Sequence, residues 1–214
     1  MDRYQEKREE MVKYQIEGRG ITDHRVINAM RKVPRHLFLP EEAHKYAYVD
    51  SPIRIGSGQT ISQPYIVAFM TELLKVQPSH RVLDVGTGSG YQAAILGELA
   101  DDVHSIERHP ELAESAAERL DALGYHNVHV HVGDGTQGYP PAAPYDRVIV
   151  AAAAPSVPDS LLEQLAEGGR LVLPVGSRGS QRLVVCERKK GEVSQWDSIS
   201  VVFVPLIGEK GWQD

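Results

Sequence analysis

The chain has 214 residues, of which 42% are hydrophobic and 24% charged, and its formal net charge is −6. This is the balance of a globular protein that can bury a core without disulfides, and the acidic charge argues against nucleic acid as a partner. A single cysteine, Cys186, excludes an intramolecular disulfide, and no apolar segment approaches the ~20 residues that span a bilayer.

The N-terminal region is predicted to be helical. Its first residues, MDRYQEKREEM, lack the apolar segment of a signal peptide, so we expect a cytoplasmic protein. Met11, Tyr14 and Ile16 are spaced to bury one face of a first helix, which two glycines end. Thr22 or Asp23 can cap a second helix. That helix would turn four apolar side chains inward: Val26, Ile27, Met30 and Val33.

The next segment, residues 34–63, is rich in proline, glycine and aromatic residues and is predicted to be irregular. Pro64 is suited to the first turn of a helix that reaches about residue 75. The irregular segment contains the uncharged sequence IGSGQTISQP, whose two hydroxyls, Thr60 and Ser62, lie just before this helix. Either residue could simply cap the helix, and the sequence itself leaves that alternative open.

Beyond residue 75 the pattern changes to strands that alternate with helices. Strands are expected over 82–85, 103–107, 128–132, 147–151 and 170–174, and helices over 91–99, 110–123 and 161–165. This alternation predicts the α/β class, with a Rossmann-like, doubly wound and mostly parallel sheet covered on both faces.

The C-terminal region departs from this alternation. Segments 182–187 and 198–204 are predicted strands joined through a polar turn at 189–192, with no helix between them. They indicate an antiparallel hairpin at the edge of the sheet. We therefore predict a single domain over residues 1–214. It comprises N-terminal helices and a substrate loop (1–75), a cofactor-binding core (76–180) and C-terminal edge strands (181–214).

The sequence VLDVGTGSGY joins the first predicted strand of the α/β part to a helix through three glycines. A dinucleotide fingerprint that starts at Gly86 fits at Gly88, but its sixth position is Tyr91 rather than glycine. No lysine follows as in a P-loop. Asp84 precedes the glycines, and it would repel a pyrophosphate but tolerate a cationic ligand. The sequence alone also permits a simple turn here.

Acidic residues end three successive predicted strands. Besides Asp84, Glu107 lies about 20 residues beyond the glycines, where an acid can bind both hydroxyls of a ribose. Asp134 is placed to accept from an exocyclic amine such as that of adenine. S-adenosylmethionine, a nucleoside with a positive charge and no phosphate, fits this acidic edge. The predicted cofactor-binding set is Asp84, Gly86, Thr87, Gly88, Glu107, Arg108, Asp134 and Gly135.

Several sequence motifs of the chain resemble those of a known family. DVGTGSGYQAAIL, GDGTQGY, APYDRVIVAAAAP and GGRLVLPVG resemble the motif series of class I S-adenosylmethionine-dependent methyltransferases. GQTISQPYIVAFMTELL resembles the segment peculiar to protein-L-isoaspartate (D-aspartate) O-methyltransferases, as do VPRHLFLP and FVPL. The match extends from roughly residue 20 to 207.

The resemblance implies a repair enzyme. It would transfer a methyl group from S-adenosyl-L-methionine, leaving S-adenosyl-L-homocysteine, to the free α-carboxylate of L-isoaspartyl residues in damaged proteins and peptides. The ester then closes to a succinimide that can hydrolyse to normal aspartate. The resemblance assigns Ser62 as the catalytic residue, to which we give a positioning role. The substrate-binding residues would be Thr60, Ile61, Gln63, Val204 and Pro205.

Other functions remain as alternatives from the sequence. A methyltransferase with another small-molecule or protein acceptor shares the cofactor motifs, and a non-catalytic module could retain the nucleoside pocket. The glycine pattern argues against an NAD-dependent oxidoreductase. His129 and His131 share one face of a strand, but we interpret them as solvated histidines and predict no metal site. We expect a monomer without membrane contact.

Overall fold

The computed structural model describes residues 3–213 and is built around a seven-stranded sheet. The α-helices are α1 (Arg3–Glu10), α2 (His24–Lys32), α3 (Pro64–Leu74), α4 (Tyr91–Gly97), α5 (Pro110–Ala122) and α6 (Asp159–Glu163). The strands are β1 (Ile53–Gly56), β2 (Gln59–Ile61), β3 (Arg81–Val85), β4 (Asp102–Glu107), β5 (Val128–Val132), β6 (Tyr145–Val150), β7 (Leu165–Ser177), β8 (Ser180–Lys189) and β9 (Glu192–Val201).

The predicted α/β sheet is confirmed. Its strands follow the order β5-β4-β3-β6-β7-β8-β9, and the first five are parallel. The C-terminal strands β8 and β9 form the expected antiparallel hairpin at the edge, and β8 also pairs antiparallel with β7. The strand order reverses between β3 and β6, and the carboxyl ends of strands at such a point form the usual ligand crevice of an open α/β sheet. Within residues 3–213, no helix is both long and apolar enough to cross a membrane.

The N-terminal additions are helical as predicted, but the buried face of the first helix differs. Helix α1 continues as a π-helical segment, Met11–Ile16, in which Met11, Val12 and Ile16 are completely buried. Tyr14, which was expected on that face, is 64% exposed. The wider turn of a π-helix shifts the inward positions relative to the 3.6-residue period on which the prediction rested. Asp23 caps α2 through the backbone N–H of Arg25, at 2.9 Å.

The prediction that 34–63 is irregular throughout is wrong for its last part. Strands β1 and β2 form a short antiparallel hairpin that pairs Ile53 with Ile61. Its turn is Ser57-Gly58, and both residues have positive φ, at 47° and 71°. This is the conformation of the tight turns that join hairpin strands. The Ser-Gly pair between two short segments was the feature of the sequence that could have predicted the hairpin. The hairpin therefore fixes the position of the backbone immediately before Ser62.

Two predicted boundaries are corrected by long-range pairing. The helix expected over 161–165 ends at Glu163, because Leu165 already pairs with Tyr145 as the first residue of β7. The last strand ends at Val201, not at residue 204. Beyond it, the carbonyl of Val204 accepts from the N–H of Ala153 at 2.8 Å, which draws the chain across the end of β6.

The histidines of the sheet are packed more closely than predicted. His104 Nδ1 and His131 Nε2 lie 2.9 Å apart in a hydrogen bond, and the His131 ring stacks on Tyr139 with 3.8 Å between ring centres. His129 is half exposed, as expected, but His131 is part of this aromatic stack. Burial lowers the pKa of both His104 and His131, so the stack favours their neutral forms.

Candidate active site

The glycine segment after β3 takes the shape that a close ligand requires. Gly86, Gly88 and Gly90 have φ values of 96°, 51° and 87°, which side-chain-bearing residues rarely adopt. A Cβ on Gly88 would lie 3.3 Å from the Ile55 side chain. The N–H of Gly86 donates to the carbonyl of Ile106 at 2.9 Å, which ties this loop to β4. The loop therefore exposes backbone at the mouth of a cleft.

A cleft lies at the carboxyl ends of β3, β4 and β6, and we call it the main cleft. It brings together residues predicted from five separate parts of the sequence. The predicted residues that line it are Thr60, Ile61, Ser62, Gly86, Thr87, Gly88, Glu107, Arg108, Gly135, Val204 and Pro205. Asp84, Gln63 and Asp134 lie around it but do not line it.

Glu107 is held in a fixed orientation by backbone donors. Its Oε2 accepts from the N–H of Gly88 at 2.9 Å, and its Oε1 accepts from the N–H of His109 at 3.0 Å. The residue is only 5% exposed, so its carboxylate is largely withdrawn from water. Each carboxylate oxygen retains a second lone pair. The arrangement is therefore suited to receive two further donors, such as the hydroxyls of a ribose.

Asp84 lies completely buried beneath the glycine loop. Its Oδ2 accepts from the Ser105 hydroxyl at 2.7 Å, and that hydroxyl is 2.6 Å from the hydroxyl of Thr87. Burial raises the pKa of Asp84 to about 7; the Ser105 hydrogen bond opposes this rise and the Glu107 charge adds to it. Asp84 Oδ1 has no hydrogen-bond partner among the described residues. A cationic ligand above the loop would favour the ionised form of this carboxyl.

The raised pKa of Asp84 predicts a specific pH dependence of stability. Because the folded-state pKa is about 7 and the ordinary value is 3.8, the folded protein holds this proton over a range in which the unfolded chain has lost it. Relative to Asp84→Asn, the wild type should therefore lose stability as the pH rises from about 4 to about 7 and change little above that. Thermal unfolding of both proteins across this range, without ligand, measures the difference. A difference in Tm that does not vary with pH would contradict it.

Asp134 is engaged in shaping the loop after β5. Its Oδ1 accepts from both the N–H and the hydroxyl of Thr136, at 2.8 and 2.7 Å, and its Oδ2 accepts from the N–H of Glu209 at 2.8 Å. The following residue, Gly135, lines the main cleft, and a Cβ there would lie only 2.5 Å from Val85. The predicted contact of Asp134 with an adenine amine thus depends on the lone pair that Oδ2 retains.

A second compartment, which we call the side groove, opens from the main cleft beside Ser62. Thr60, Ser62 and Val204 line both compartments, whereas Gln63 lines only the side groove. All residues that line the side groove are uncharged: Pro52, Thr60, Ser62, Gln63, Ile66, Ala151, Ser180, Ser200, Val201, Val202, Phe203 and Val204. Ser62 thus stands where the two compartments meet.

The Ser62 hydroxyl is not used as a helix cap. Helix α3 begins at Pro64, its N-cap residue is Gln63, and no side chain caps it. The simpler interpretation of the two hydroxyls as caps is therefore wrong. Within residues 3–213 no hydrogen bond fixes the Ser62 hydroxyl, so it can donate to a group bound in the cleft.

Comparisons with known proteins identify the family of this chain. The family model of protein-L-isoaspartate (D-aspartate) O-methyltransferases matches residues 6–211. The chain belongs to this family. A relative named protein-L-isoaspartate O-methyltransferase from Methanoculleus marisnigri is 56% identical, over 97% of this chain and 94% of its own length. Another, from Syntrophobacter fumaroxidans, is 52% identical over the full length of both chains.

Solved structures of the family share the fold. A structure from Plasmodium falciparum, named for the same activity, is in complex with S-adenosyl-L-homocysteine. It superposes with a TM-score of 0.82, at 26% identity over 97% of this chain and 99% of its own. A second protein-L-isoaspartate O-methyltransferase structure gives a TM-score of 0.85, at 29% identity, covering 95% of this chain and 67% of that one.

Two residues that support this methyltransferase site from behind its lining were not predicted from the sequence. Ser105 connects Asp84 with Thr87, and its signal was a hydroxyl on β4 two residues before Glu107. Arg35, in VPRHLFLP, is fully buried and contacts the Ser62 segment. Nothing in its local pattern separates it from an exposed arginine, because only the folded chain places it there.

Proposed function

We propose that this chain methylates the free α-carboxylate of L-isoaspartyl residues in damaged proteins and peptides, with S-adenosyl-L-methionine as donor. The observation that carries the proposal is the position of Ser62, an unengaged hydroxyl at the junction of the main cleft and an uncharged groove. The cofactor would occupy the main cleft and the peptide the side groove. Placing the peptide in the uncharged side groove suits an acceptor group that carries its own negative charge.

The residues of the main cleft fit this cofactor. Glu107 presents an oriented carboxylate for the ribose, and the glycine loop leaves room for close approach. Asp84, with an unpartnered oxygen beneath the loop, supplies negative charge near a cationic ligand. When bound, S-adenosyl-L-methionine would supply an electrophilic methyl carbon: the carboxylate oxygen would bond to it while the carbon–sulfur bond breaks and the sulfur keeps the electron pair. S-adenosyl-L-homocysteine is the product.

The acceptor chemistry explains why the loop is polar and uncharged. A carboxylate is already ionised at neutral pH, so no general base is needed. It must be aligned with the methyl carbon and shielded from water. A lysine would bind the carboxylate but reduce its nucleophilicity, whereas the hydroxyl of Ser62 can orient it at less cost. In this proposal Thr60 and Gln63 assist and Ile61, Val204 and Pro205 form the walls.

The resulting ester closes to a succinimide without the enzyme, and hydrolysis of that ring yields some normal aspartate. We further propose that the chain acts as a cytoplasmic monomer, organised as one domain, on isoaspartyl proteins and peptides. Nucleic acid is not expected as a partner, and the net charge of −6 supports this.

A labelled-peptide assay tests the function. A synthetic peptide with one L-isoaspartyl residue and its normal aspartyl twin are each incubated with the protein and methyl-labelled S-adenosyl-L-methionine. We expect a base-labile ester on the isoaspartyl peptide and at least about 100-fold less on the twin, since only the former presents a free α-carboxylate on a shifted backbone. Equal labelling of the two peptides would contradict the proposal and favour a methyltransferase with another acceptor.

A further inference from the structure

Arg35 is a completely buried cation adjacent to the Ser62 segment. It begins a short 3₁₀ helix, Arg35–Phe38, and its side chain extends between two loops. Its Nε donates to the carbonyl of Ala47 at 2.8 Å, and its Nη2 donates to the carbonyl of Ser62 at 2.7 Å. The guanidinium carbon lies 4.8 Å from the ring centre of Tyr91, which lines the main cleft. One side chain therefore ties the Ser62 segment to the start of α4.

No carboxylate among residues 3–213 forms an ion pair with Arg35, and its Nη1 has no hydrogen-bond partner. The acid whose charge acts on it is Asp50, and Asp50 forms its ion pair with Arg19 instead, at 2.7 Å. Burial lowers the pKa of Arg35 to about 10, so the group stays charged at neutral pH. A buried cation without a direct ion pair is costly, and its two carbonyl acceptors could be satisfied by an uncharged donor. An anion that binds in the adjoining cleft would complement it.

The peptide bond between Ser62 and Gln63 shows how Arg35 can act on the cleft. The carbonyl and the N–H of a trans peptide point in opposite directions. Because Arg35 holds the Ser62 carbonyl, it also turns the N–H of Gln63 away from itself, and within residues 3–213 that N–H has no acceptor. Gln63 lines the side groove, and Ser62 lines both compartments. Two donors, the Ser62 hydroxyl and the Gln63 N–H, are thereby set on consecutive residues.

We propose that Arg35 is a positioning residue for methyl transfer, which fixes the Ser62–Gln63 peptide so that both donors face the acceptor carboxylate. This inference rests on the proposed function, because it requires a carboxylate acceptor. Arg35 does not touch the substrate; it acts through the peptide that it holds. Its charge also favours the anion in the adjoining cleft over a neutral acceptor.

The test compares Arg35→Met and Arg35→Lys with a matched control. With the isoaspartyl peptide, R35M should lose about 10- to 150-fold in kcat/KM, the effect of a lost hydrogen bond to a charged group. R35K should lose less than R35M, because it keeps the charge but replaces the separate donors Nε and Nη2 by a single nitrogen. Arg188→Met is the control, since Arg188 also donates to a backbone carbonyl, that of Leu162 at 2.7 Å, but lies outside both compartments. R188M should retain wild-type kcat/KM.

Two readouts separate positioning from general structural damage. Calorimetric binding of S-adenosyl-L-homocysteine should stay within about threefold of wild type in R35M, because the glycine loop and Glu107 are unchanged. In the double variant S62A/R35M, the fold-loss of kcat/KM should be clearly smaller than the product of the fold-losses in the two single variants, since both substitutions act on the same pair of donors. If R35M does not fold, R35K and S62A/R35K are judged by the same two criteria.

The inference would be overturned if R35M kept a kcat/KM close to that of the wild type. It would also be overturned if the fold-losses of kcat/KM in S62A and R35M multiplied in the double variant, or if R35M lost S-adenosyl-L-homocysteine binding in parallel with kcat/KM. Each of these outcomes leaves the labelling of the isoaspartyl peptide by the wild type intact. Failure of the wild type itself to label that peptide would instead overturn the proposed function, and with it this inference.

Discussion

Replacement of Glu107 by glutamine is expected to weaken the binding of S-adenosyl-L-homocysteine by on the order of 100-fold. Glu107 accepts from the N–H groups of Gly88 and His109, one on each oxygen. Glutamine has the same shape but only one oxygen, so its NH₂ group would face one of these N–H donors. The variant loses the negative charge toward the ribose hydroxyls and also disturbs the glycine loop. Isothermal titration calorimetry measures the effect directly.

A control for this experiment is Glu114→Gln, since Glu114 is exposed on α5 and outside the main cleft. Its affinity should equal that of the wild type. Because Glu107 is nearly buried, the fold of the E107Q variant should also be checked by its Tm. Wild-type affinity in a folded E107Q protein would show that the carboxylate does not bind the cofactor.

The parts of the fold that local pattern determines were predictable. Strand β3 contains a short, largely apolar segment that ends in glycines, and helix α5 begins at Pro110, a residue suited to the first turn. Both features depend on residues close together in sequence, namely the apolar period and the first-turn proline. Family resemblance then supplied the function, which composition and periodicity alone could not.

Features that depend on distant partners were not predictable. Leu165 leaves the helical pattern because it pairs with Tyr145, and the chain turns away after Val201 to bond with Ala153. Tyr14 is exposed because a π-helical segment replaces the regular period. At Leu165 and beyond Val201 a tertiary interaction overrides a local preference, whereas at Tyr14 the helix itself departs from the regular period.

The residues of the site also divide into those that the sequence could place and those that it could not. Glu107 and the three glycines could be placed from their spacing, because the carboxyl ends of parallel strands converge. The surroundings of Asp134 could not, because the segment that donates to it, at Glu209, lies 75 residues further along the chain. Arg35 was unpredictable for a similar reason, since its contacts to Ala47 and Ser62 arise only on folding. Charged residues are usually exposed, so burial was the less expected outcome.

Replacement of Ser62 by alanine is expected to lower kcat/KM for the isoaspartyl peptide by about 10- to 150-fold. The lost interaction is a hydrogen bond from a hydroxyl to a charged carboxylate, worth about 1.5–3 kcal/mol. Activity should be reduced and not abolished, because the acceptor needs no deprotonation and the cofactor cleft remains complete. Steady-state methyl transfer at saturating and at limiting peptide provides the measurement.

The control is Ser62→Thr, which keeps a hydroxyl and adds one methyl group next to Ile66 and Val204 in the shared lining. If orientation by the hydroxyl is the role of Ser62, threonine should recover part of the rate that alanine loses. The binding of S-adenosyl-L-homocysteine should be the same in both variants, because Ser62 contributes no charge to the cofactor cleft. Wild-type turnover in S62A under both peptide conditions would remove Ser62 from the mechanism, and the side groove would then need another group to orient the carboxylate.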